Sequence, residues 1–133
     1  MSTAAIRKSI QNYYETRRQF TAHSIENESS VRQAFLTLLS DTARPHRWLL
    51  ISEHPTRAFG TRLIIPDATL QDEYSIPRAY YEAKDTHDDL DLEIRKKLAA
   101  GYPASNIIFE DSARAVLYQN EAPVLDIDLN KEP

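Results

Sequence analysis

The sequence lacks cysteine altogether and contains only two glycines in 133 residues. Without cysteine, neither a disulfide nor a thiolate metal site can form. The two glycines, Gly60 and Gly101, cannot build the glycine-rich phosphate loops of P-loop and Rossmann proteins. These absences exclude disulfide scaffolds, thiolate metal centres and both of those nucleotide-binding loops.

Long apolar runs and clustered basic charge are also missing. No apolar run approaches the roughly 18 residues of a membrane helix, and no signal-peptide pattern follows Met1. The formal net charge is -4 and the charges are dispersed, whereas a free-standing nucleic-acid-binding module normally carries a clustered basic surface. With 41% hydrophobic residues the chain can bury a core. We expect one soluble, cytoplasmic domain with no membrane partner.

Hydrophobic periodicity predicts helices and strands in the order αα-βββ-α-ββ. The predicted helices cover residues 4–20, 27–40 and 89–103. The predicted strands cover residues 48–52, 61–70, 79–84, 106–111 and 113–120, with a further edge strand at 124–129. An antiparallel strand pair followed by a helical crossover into the next strand gives a mixed sheet. The pattern therefore predicts an α/β fold with helices covering a mixed sheet.

The chain is predicted to form a single domain over residues 1–133. Residues 1–22 are expected to be an N-terminal helical extension. Residues 121–133 are expected to be an edge strand or a linker to a following domain, because the ending DLNKEP is polar and unpatterned.

Two carboxylates and a lysine stand at the ends of neighbouring predicted strands. Pro66-Asp67 is the one Pro-Asp pair in the chain, and Glu82-Ala83-Lys84 is the one acidic-x-Lys. Alternate side chains of a strand share a face, so Glu82 and Lys84 point the same way. If residues 62–70 pair with 79–84, Asp67 can lie across from Glu82. Such a carboxylate pair suits Mg²⁺, and the lysine could orient a water or stabilise charge on a phosphate.

This arrangement resembles the PD-(D/E)xK nuclease superfamily, and in particular the N-terminal nuclease domain of restriction-modification enzymes. The resemblance implies a restriction-endonuclease-like core, with Asp67 and Glu82 binding Mg²⁺ or Mn²⁺. It also implies that Ala83 adds its backbone carbonyl to the metal and that Lys84 assists the attacking water. Related nucleases often carry a Gln-x-x-x-Tyr on the crossover helix, a motif from which Lys96, Lys97 and Tyr102 depart. Those residues could contact phosphate, or Tyr102 could pack on the core beside a solvated helix end.

Glu28 is a further candidate because it lies on the apolar stripe of the second helix, three residues before Val31. One interpretation is a solvated first-turn residue favoured by the helix dipole. The other interpretation is that Glu28 points under the sheet and supports the metal site. Many members of the superfamily carry such a glutamate on their first core helix.

The sequence thus predicts a metal-dependent DNA endonuclease that serves as the cleavage module of a restriction system. Its predicted partners are DNA and further domains of the same polypeptide, such as methyltransferase, helicase or target-recognition parts. One alternative is a non-catalytic α/β interaction module of a larger DNA-processing enzyme, in which the three residues form a surface ion-pair cluster. Another is a nuclease that acts on RNA or on DNA repair intermediates.

Overall fold

The structure, a computed structural model, describes residues 3–25, 27–58 and 62–133. Its helices are α1 (Thr3–Ala22), α2 (Glu28–Ala43), a 3-10 turn (Arg44–His46) and α3 (Leu90–Ala99). Its strands are β1 (Leu49–Ser52), β2 (Thr56–Ala58), β3 (Arg62–Ile64), β4 (Ala68–Gln71), β5 (Pro77–Ala83), β6 (Ile107–Glu110), β7 (Arg114–Gln119) and β8 (Ala122–Asp128). None of the helices in the described ranges is both long and apolar enough to cross a membrane.

Six strands form one mixed sheet in the order β1-β4-β5-β6-β7-β8. The neighbours β5 and β6 are parallel and are joined through α3, whereas every other pair in this sheet is antiparallel. The mixed sheet predicted from the sequence is confirmed. A parallel pair needs a crossover connection, and α3 supplies it on one face of the sheet.

Capping residues explain where α2 and α3 begin. The Asn27 side chain accepts a hydrogen bond from the Ser30 N–H at 3.1 Å, and the Asp89 side chain accepts one from the Leu92 N–H at 3.2 Å. Helix α3 ends at Ala99 rather than at residue 103, and Gly101 follows with a φ of 100°. Glycine adopts this left-handed conformation without steric cost, so the chain can turn towards β6.

Two apolar clusters, one on each face, fix the sheet between its helices. On the α1–α2 face, Phe35 stacks on Tyr81 with ring centroids 5.7 Å apart, and Tyr13 meets Phe35 edge-on at 5.9 Å. On the α3 face, Ile94 packs with Ile107. The remaining buried members of this second cluster are Leu90, Phe109 and Val116. Strand β5 therefore presents alternate side chains to different helical layers, as the strand period requires.

The predicted strand 61–70 is wrong in one respect, because it is two strands that belong to different sheets. Strand β3 pairs with β2 in a separate two-stranded sheet, and β4 pairs with β1 and β5. The break falls at Ile65–Asp67, where Pro66 has no N–H to donate to a ladder. The short strand β2 was not predicted. Its three residues are too few for a periodic signal.

Helix α1 is packed into the same body as the sheet. Tyr13 and Tyr14 are buried in the α1–α2 cluster. The Arg17 guanidinium donates hydrogen bonds to the Leu129 carbonyl at 2.7 Å and to Asn130 Oδ1 at 3.0 Å. The first helix is thereby tied to the chain that follows β8, the edge strand of the larger sheet.

Candidate metal centre

Asp67 and the Glu82-Ala83 pair are held together by two hydrogen bonds that cross between their strands. Asp67 Oδ2 accepts a hydrogen bond from the Ala83 N–H at 2.7 Å, and the Asp67 N–H donates to Glu82 Oε1 at 3.1 Å. The register pairs Ala68 with Tyr81, so the next position along places Asp67 opposite Glu82. The structure thus brings the two carboxylates to one end of the β4–β5 pair.

The backbone of Asp67 is fixed from the other side as well. Its carbonyl accepts a hydrogen bond from the Glu53 N–H at 3.0 Å, just beyond the end of β1. Pro66 is fully buried beside it. The bend that separates β3 from β4 therefore holds Asp67 in one position rather than leaving it on a free loop.

Glu82 is a buried carboxylate with cationic partners. Its residue surface is 4% exposed. Its Oε2 lies 2.9 Å from Lys97 Nζ and 3.7 Å from Lys84 Nζ, while Oε1 accepts the hydrogen bond from Asp67. A buried charge is costly unless it is paired and hydrogen-bonded, and Glu82 meets both conditions.

Lys84 lies on the same face of β5 as Glu82, as the strand period predicts. Its ammonium stands between Glu82 Oε2 at 3.7 Å and Glu93 Oε2 of α3 at 3.8 Å. Its backbone N–H donates to the Glu110 carbonyl at 2.9 Å, so the lysine is positioned where β5 leaves the sheet beside β6. The ammonium is mostly shielded, with 14% of its side chain exposed.

Lys97 and Tyr102 complete this cluster from α3 and the turn after it. Lys97 Nζ lies 3.4 Å from the Tyr102 hydroxyl and 4.7 Å from the centre of its ring. The hydroxyl of Tyr102 donates to the Ile65 carbonyl at 3.4 Å, and its ring packs against the α3 cluster. Of the two interpretations left open for Tyr102, the structure therefore shows packing on the core.

The charge of Glu82 affects the pKa values of both Lys97 and Tyr102. Partial burial lowers the pKa of Lys97, but the hydrogen bond and the negative charge of Glu82 outweigh it and raise that pKa above its usual value. Burial raises the pKa of Tyr102, and the charge of Glu82 raises it further against the opposing effect of Lys97. The amine therefore stays an ammonium and the phenol stays neutral near pH 7.

The donor set fits a hard divalent cation. Carboxylate oxygens are the ligands that Mg²⁺ and Mn²⁺ prefer, and Mg²⁺ typically takes one or two protein carboxylates with water and phosphate. Asp67 and Glu82 supply two such groups. Ala83 lies between Glu82 and Lys84 at the end of β5 and is the residue whose carbonyl the resemblance assigns to the metal.

Glu28 lies in a second acidic group instead of joining Asp67 and Glu82 by a direct contact. It is the first residue of α2, and its Oε1 accepts a hydrogen bond from the Thr86 N–H at 3.3 Å. One ligand atom each of Glu28, Asp85 and His87 lie within 4.8 Å of one another. The hydrogen bond from the His87 N–H and, to a smaller extent, one with Glu28 lower the pKa of Asp85. The contacts describe the separation: Asp85 lies beside Glu28 at the start of α2, whereas Lys84 lies beside Glu93 of α3.

The sequence did not predict two pairings: that of the half-buried Lys97 with Glu82, and that of the buried Glu110 with Tyr81. Lys97 was considered for phosphate and not as the direct partner of Glu82. The spacing Glu93 to Lys97 is i to i+4 on the crossover helix, a signal that both share the helix face towards Lys84 and Glu82. Glu110 is 1% exposed at the end of an apolar strand, where its Oε1 accepts a hydrogen bond from the Tyr81 hydroxyl at 2.6 Å. The apolar sequence before Glu110 does not predict its hydrogen bond with Tyr81.

Comparison with known proteins adds a structural match. No protein-family model matches the chain, and no curated protein sequence matches it. The chain is similar to part of a protein in the cryo-EM structure of a DrdV–DNA complex, with 43% sequence identity and a TM-score of 0.84. The match covers 94% of this chain and 12% of the matched chain, so this chain spans about one eighth of that protein's length. The predicted fold class is confirmed, and the match is consistent with a restriction-endonuclease-like core.

Proposed function

We propose that this chain is a metal-dependent endonuclease module that hydrolyses phosphodiester bonds in DNA. The observation that carries the proposal is the crossed pair of hydrogen bonds between Asp67 and the Glu82-Ala83 segment, with the Lys84 ammonium on the same face as Glu82. Two carboxylates with an adjoining ammonium are the minimum set for metal-assisted phosphodiester hydrolysis. The alternative of a surface ion-pair cluster fits less well, because Glu82 is buried.

In this proposal Asp67 and Glu82 hold Mg²⁺ or Mn²⁺, with the backbone carbonyl of Ala83 as a third oxygen ligand. When bound, the metal supplies Lewis-acid polarisation of a phosphoryl oxygen and lowers the pKa of a coordinated water. Burial of Glu82 keeps bulk water away from the carboxylate, which strengthens its interaction with a cation. The role of Glu28 is a supporting one, through the Asp85–His87 loop that directly follows Lys84.

Lys84 is proposed to orient the attacking water and to stabilise negative charge on the phosphate. Its ammonium lies 3.7 Å from Glu82 Oε2 and 3.8 Å from Glu93 Oε2, and 14% of the side chain is exposed. In the reaction, the water oxygen would form a bond to phosphorus and give up a proton to solvent, while the P–O bond to the leaving oxygen would break and that oxygen would take up a proton. The negative charge that develops in the transition state would lie on the phosphoryl oxygens. A fixed ammonium beside those oxygens stabilises that charge without reorganisation.

DNA is proposed as the substrate because the matched protein was solved in a complex with DNA. The net charge of -4 and the 12% share of the matched chain both favour a module that depends on other parts of a longer polypeptide for DNA binding. We propose that those parts include target recognition and a methyltransferase or helicase, in a cytoplasmic restriction system.

The test is Mg²⁺-dependent DNA cleavage by the full polypeptide that carries this sequence. Asp67→Ala and Lys84→Ala should each lower cleavage by at least about 100-fold. Matched controls are Asp91→Ala and Lys8→Ala, which remove an exposed carboxylate of α3 and an exposed ammonium of α1. Unchanged cleavage in both site variants would contradict the proposal and would favour a non-catalytic interaction module. Cleavage of RNA in preference to DNA would change the substrate and leave the site assignment in place.

A further inference from the structure

Lys97 makes the shortest ion pair with Glu82. Its Nζ lies 2.9 Å from Glu82 Oε2, whereas Lys84 Nζ lies 3.7 Å from the same oxygen. The other Glu82 oxygen accepts a hydrogen bond from the Asp67 N–H. In this arrangement the carboxylate proposed as a metal ligand already has a cation and a hydrogen-bond donor on its two oxygens.

The charges of the site balance without a metal. Asp67 and Glu82 contribute two negative charges, and Lys84 and Lys97 contribute two positive ones. The neighbouring pair of Glu93 with Lys96 is also balanced. Binding of a divalent ion adds two positive charges in a half-buried place, where like charges repel more strongly than in water.

A metal ion and the Lys97 ammonium therefore compete for the Glu82 carboxylate. Mg²⁺ binds oxygen at about 2.0–2.1 Å, so on either oxygen it would lie within about 7 Å of the Lys97 ammonium. Lys97 has room to move away from Glu82, because 27% of its side chain is exposed. Its Nζ lies 4.7 Å from the centre of the Tyr102 ring, so the ammonium can leave the carboxylate and stay over that ring.

We propose that Lys97 is a tethered counter-ion of Glu82, which a divalent metal displaces and which then pairs with a phosphate of the nucleic acid at the site. The inference rests on the proposed metal-dependent nuclease function. It implies that Lys97 couples the binding of the metal to the binding of a phosphate. Without nucleic acid, the displaced ammonium stays close to the metal, and the repulsion between the two cations weakens metal binding. With a phosphate present, the ammonium pairs with the phosphate, and that attraction offsets the repulsion.

The first experiment measures Mg²⁺ binding by calorimetry in the absence of nucleic acid. Lys97→Met keeps an unbranched side chain and removes the charge, so it should bind Mg²⁺ about 5-fold or more tightly than the unaltered protein. Lys96→Met removes an exposed lysine of the same helix and should stay within about 2-fold. Asp67→Asn removes a proposed ligand and should abolish binding.

The second experiment follows the side chain of Lys97 by NMR in the unaltered protein, at constant pH. Addition of Mg²⁺ should shift the Lys97 Hε–Cε resonance, which the Lys97→Met spectrum identifies by its loss, and should leave the Lys96 resonance in place. The shift itself is measured in the unaltered protein, and the variant serves only to identify the resonance.

The third experiment measures the salt dependence of DNA binding by the full polypeptide, with Ca²⁺ in place of Mg²⁺. Lys97→Met should reduce the slope of log K against log[salt] by about 1, and Lys8→Met, at an exposed position of α1, should leave it unchanged. An unchanged slope in Lys97→Met would overturn the phosphate half of the proposal.

The outcomes separate this inference from the function on which it rests. Equal or weaker Mg²⁺ binding by Lys97→Met, together with an unmoved Lys97 resonance, would overturn the counter-ion role. If Asp67→Asn still abolished binding in that case, the metal site itself would stand. Failure of the unaltered protein to bind Mg²⁺ would overturn both.

Discussion

The backbone N–H of Asp67 donates a hydrogen bond to Glu82 Oε1 at 3.1 Å, and the Asp67 carboxylate accepts one from the residue after Glu82 at 2.7 Å. Each acidic residue thus holds the strand of the other, so the carboxylates are positioned by the backbone before any ligand arrives. Such preorganisation lowers the cost of assembling a site. It also gives Asp67 a structural role that is separable from its charge.

Asp67→Asn tests that separation. The Asn amide oxygen can still accept the hydrogen bond from the Ala83 N–H, so the free energy of unfolding should change by less than about 1 kcal/mol. Loss of the negative charge should abolish Mg²⁺ binding and lower cleavage by at least about 100-fold. Chemical denaturation and calorimetry measure the two effects. Asp67→Ala is the matched comparison, since it removes the acceptor too and should cost about 1–3 kcal/mol. Cleavage near the unaltered level in Asp67→Asn would contradict a ligand role.

The buried pair of Tyr81 and Glu110 gives a prediction about stability. The Tyr81 hydroxyl donates to Glu110 Oε1 at 2.6 Å, and Glu110 Oε2 accepts from the Ser112 N–H. Tyr81→Phe leaves a buried carboxylate oxygen without its donor and should lower the free energy of unfolding by about 1–3 kcal/mol. Tyr118→Phe is the control, because Tyr118 contacts Phe109 through its ring, and it should cost less than about 0.5 kcal/mol. Equal losses in the two variants would show that the Glu110 contact contributes nothing.

The grouping of Asp67, Glu82 and Lys84 was predictable from the sequence where strand geometry alone decides it. Glu82 and Lys84 share a face because strand side chains alternate, and an antiparallel pairing of β4 with β5 suffices to bring Asp67 opposite Glu82. The order of helices and strands followed from periodicity, and the crossover helix implied the parallel pair.

The rest required information that is not local. Lys97 reaches Glu82 because α3 crosses the sheet at a particular angle, which no single-strand or single-helix pattern specifies. Glu28 lies on the apolar stripe of α2, yet its side chain meets the loop after β5, because α2 and α3 cover opposite faces. The break at Pro66 was visible as a proline, but whether it bends a strand or divides it between two sheets depends on which partners β3 and β4 find.

Glu110 also predicts a pH dependence of stability. Burial raises the pKa of Glu110 above its ordinary value of 4.5, although hydrogen bonds from Tyr81 and Ser112 oppose the shift. The folded state therefore keeps this proton to a higher pH than the unfolded state does. In that window the folded state binds more protons, so the contribution of Glu110 to the free energy of unfolding falls as pH rises above about 4.5 and levels off above the folded-state pKa.

Glu110→Gln should remove that decline from a plot of unfolding free energy against pH, whatever constant offset the amide introduces. Glu121→Gln, at an exposed position beyond β7, is the control and should leave the slope as it is. Tyr81→Phe should steepen the decline, because loss of its hydrogen bond removes one of the effects that hold the Glu110 pKa down. A slope that is the same in Glu110→Gln and in the unaltered protein would contradict the assignment.

Arg17 of α1 connects the first helix to the chain after β8 and gives the last prediction. Its guanidinium donates to the Leu129 carbonyl at 2.7 Å and to Asn130 Oδ1 at 3.0 Å, and it lies 5.6 Å from the centre of the Tyr13 ring. Arg17→Met keeps much of the aliphatic packing and removes these donors, so amide exchange at residues 129–131 should become faster. The free energy of unfolding should fall by about 1–2 kcal/mol, since the Leu129 carbonyl loses a charge-assisted hydrogen bond.

Arg18→Met is the matched control, because Arg18 makes ion pairs with Glu15 and Glu132 that are largely exposed. Exposed pairs contribute about 0–1 kcal/mol, so this variant should change neither stability nor amide exchange at residues 129–131 by a comparable amount. Hydrogen–deuterium exchange resolves the two variants residue by residue. Equal exchange in Arg17→Met and Arg18→Met would show that α1 holds the end of the sheet through Tyr13 and Tyr14 instead, by their packing and by the hydrogen bond that the Tyr14 hydroxyl donates to the Lys131 carbonyl at 3.2 Å. In that case Tyr14→Ala would be the variant that releases it.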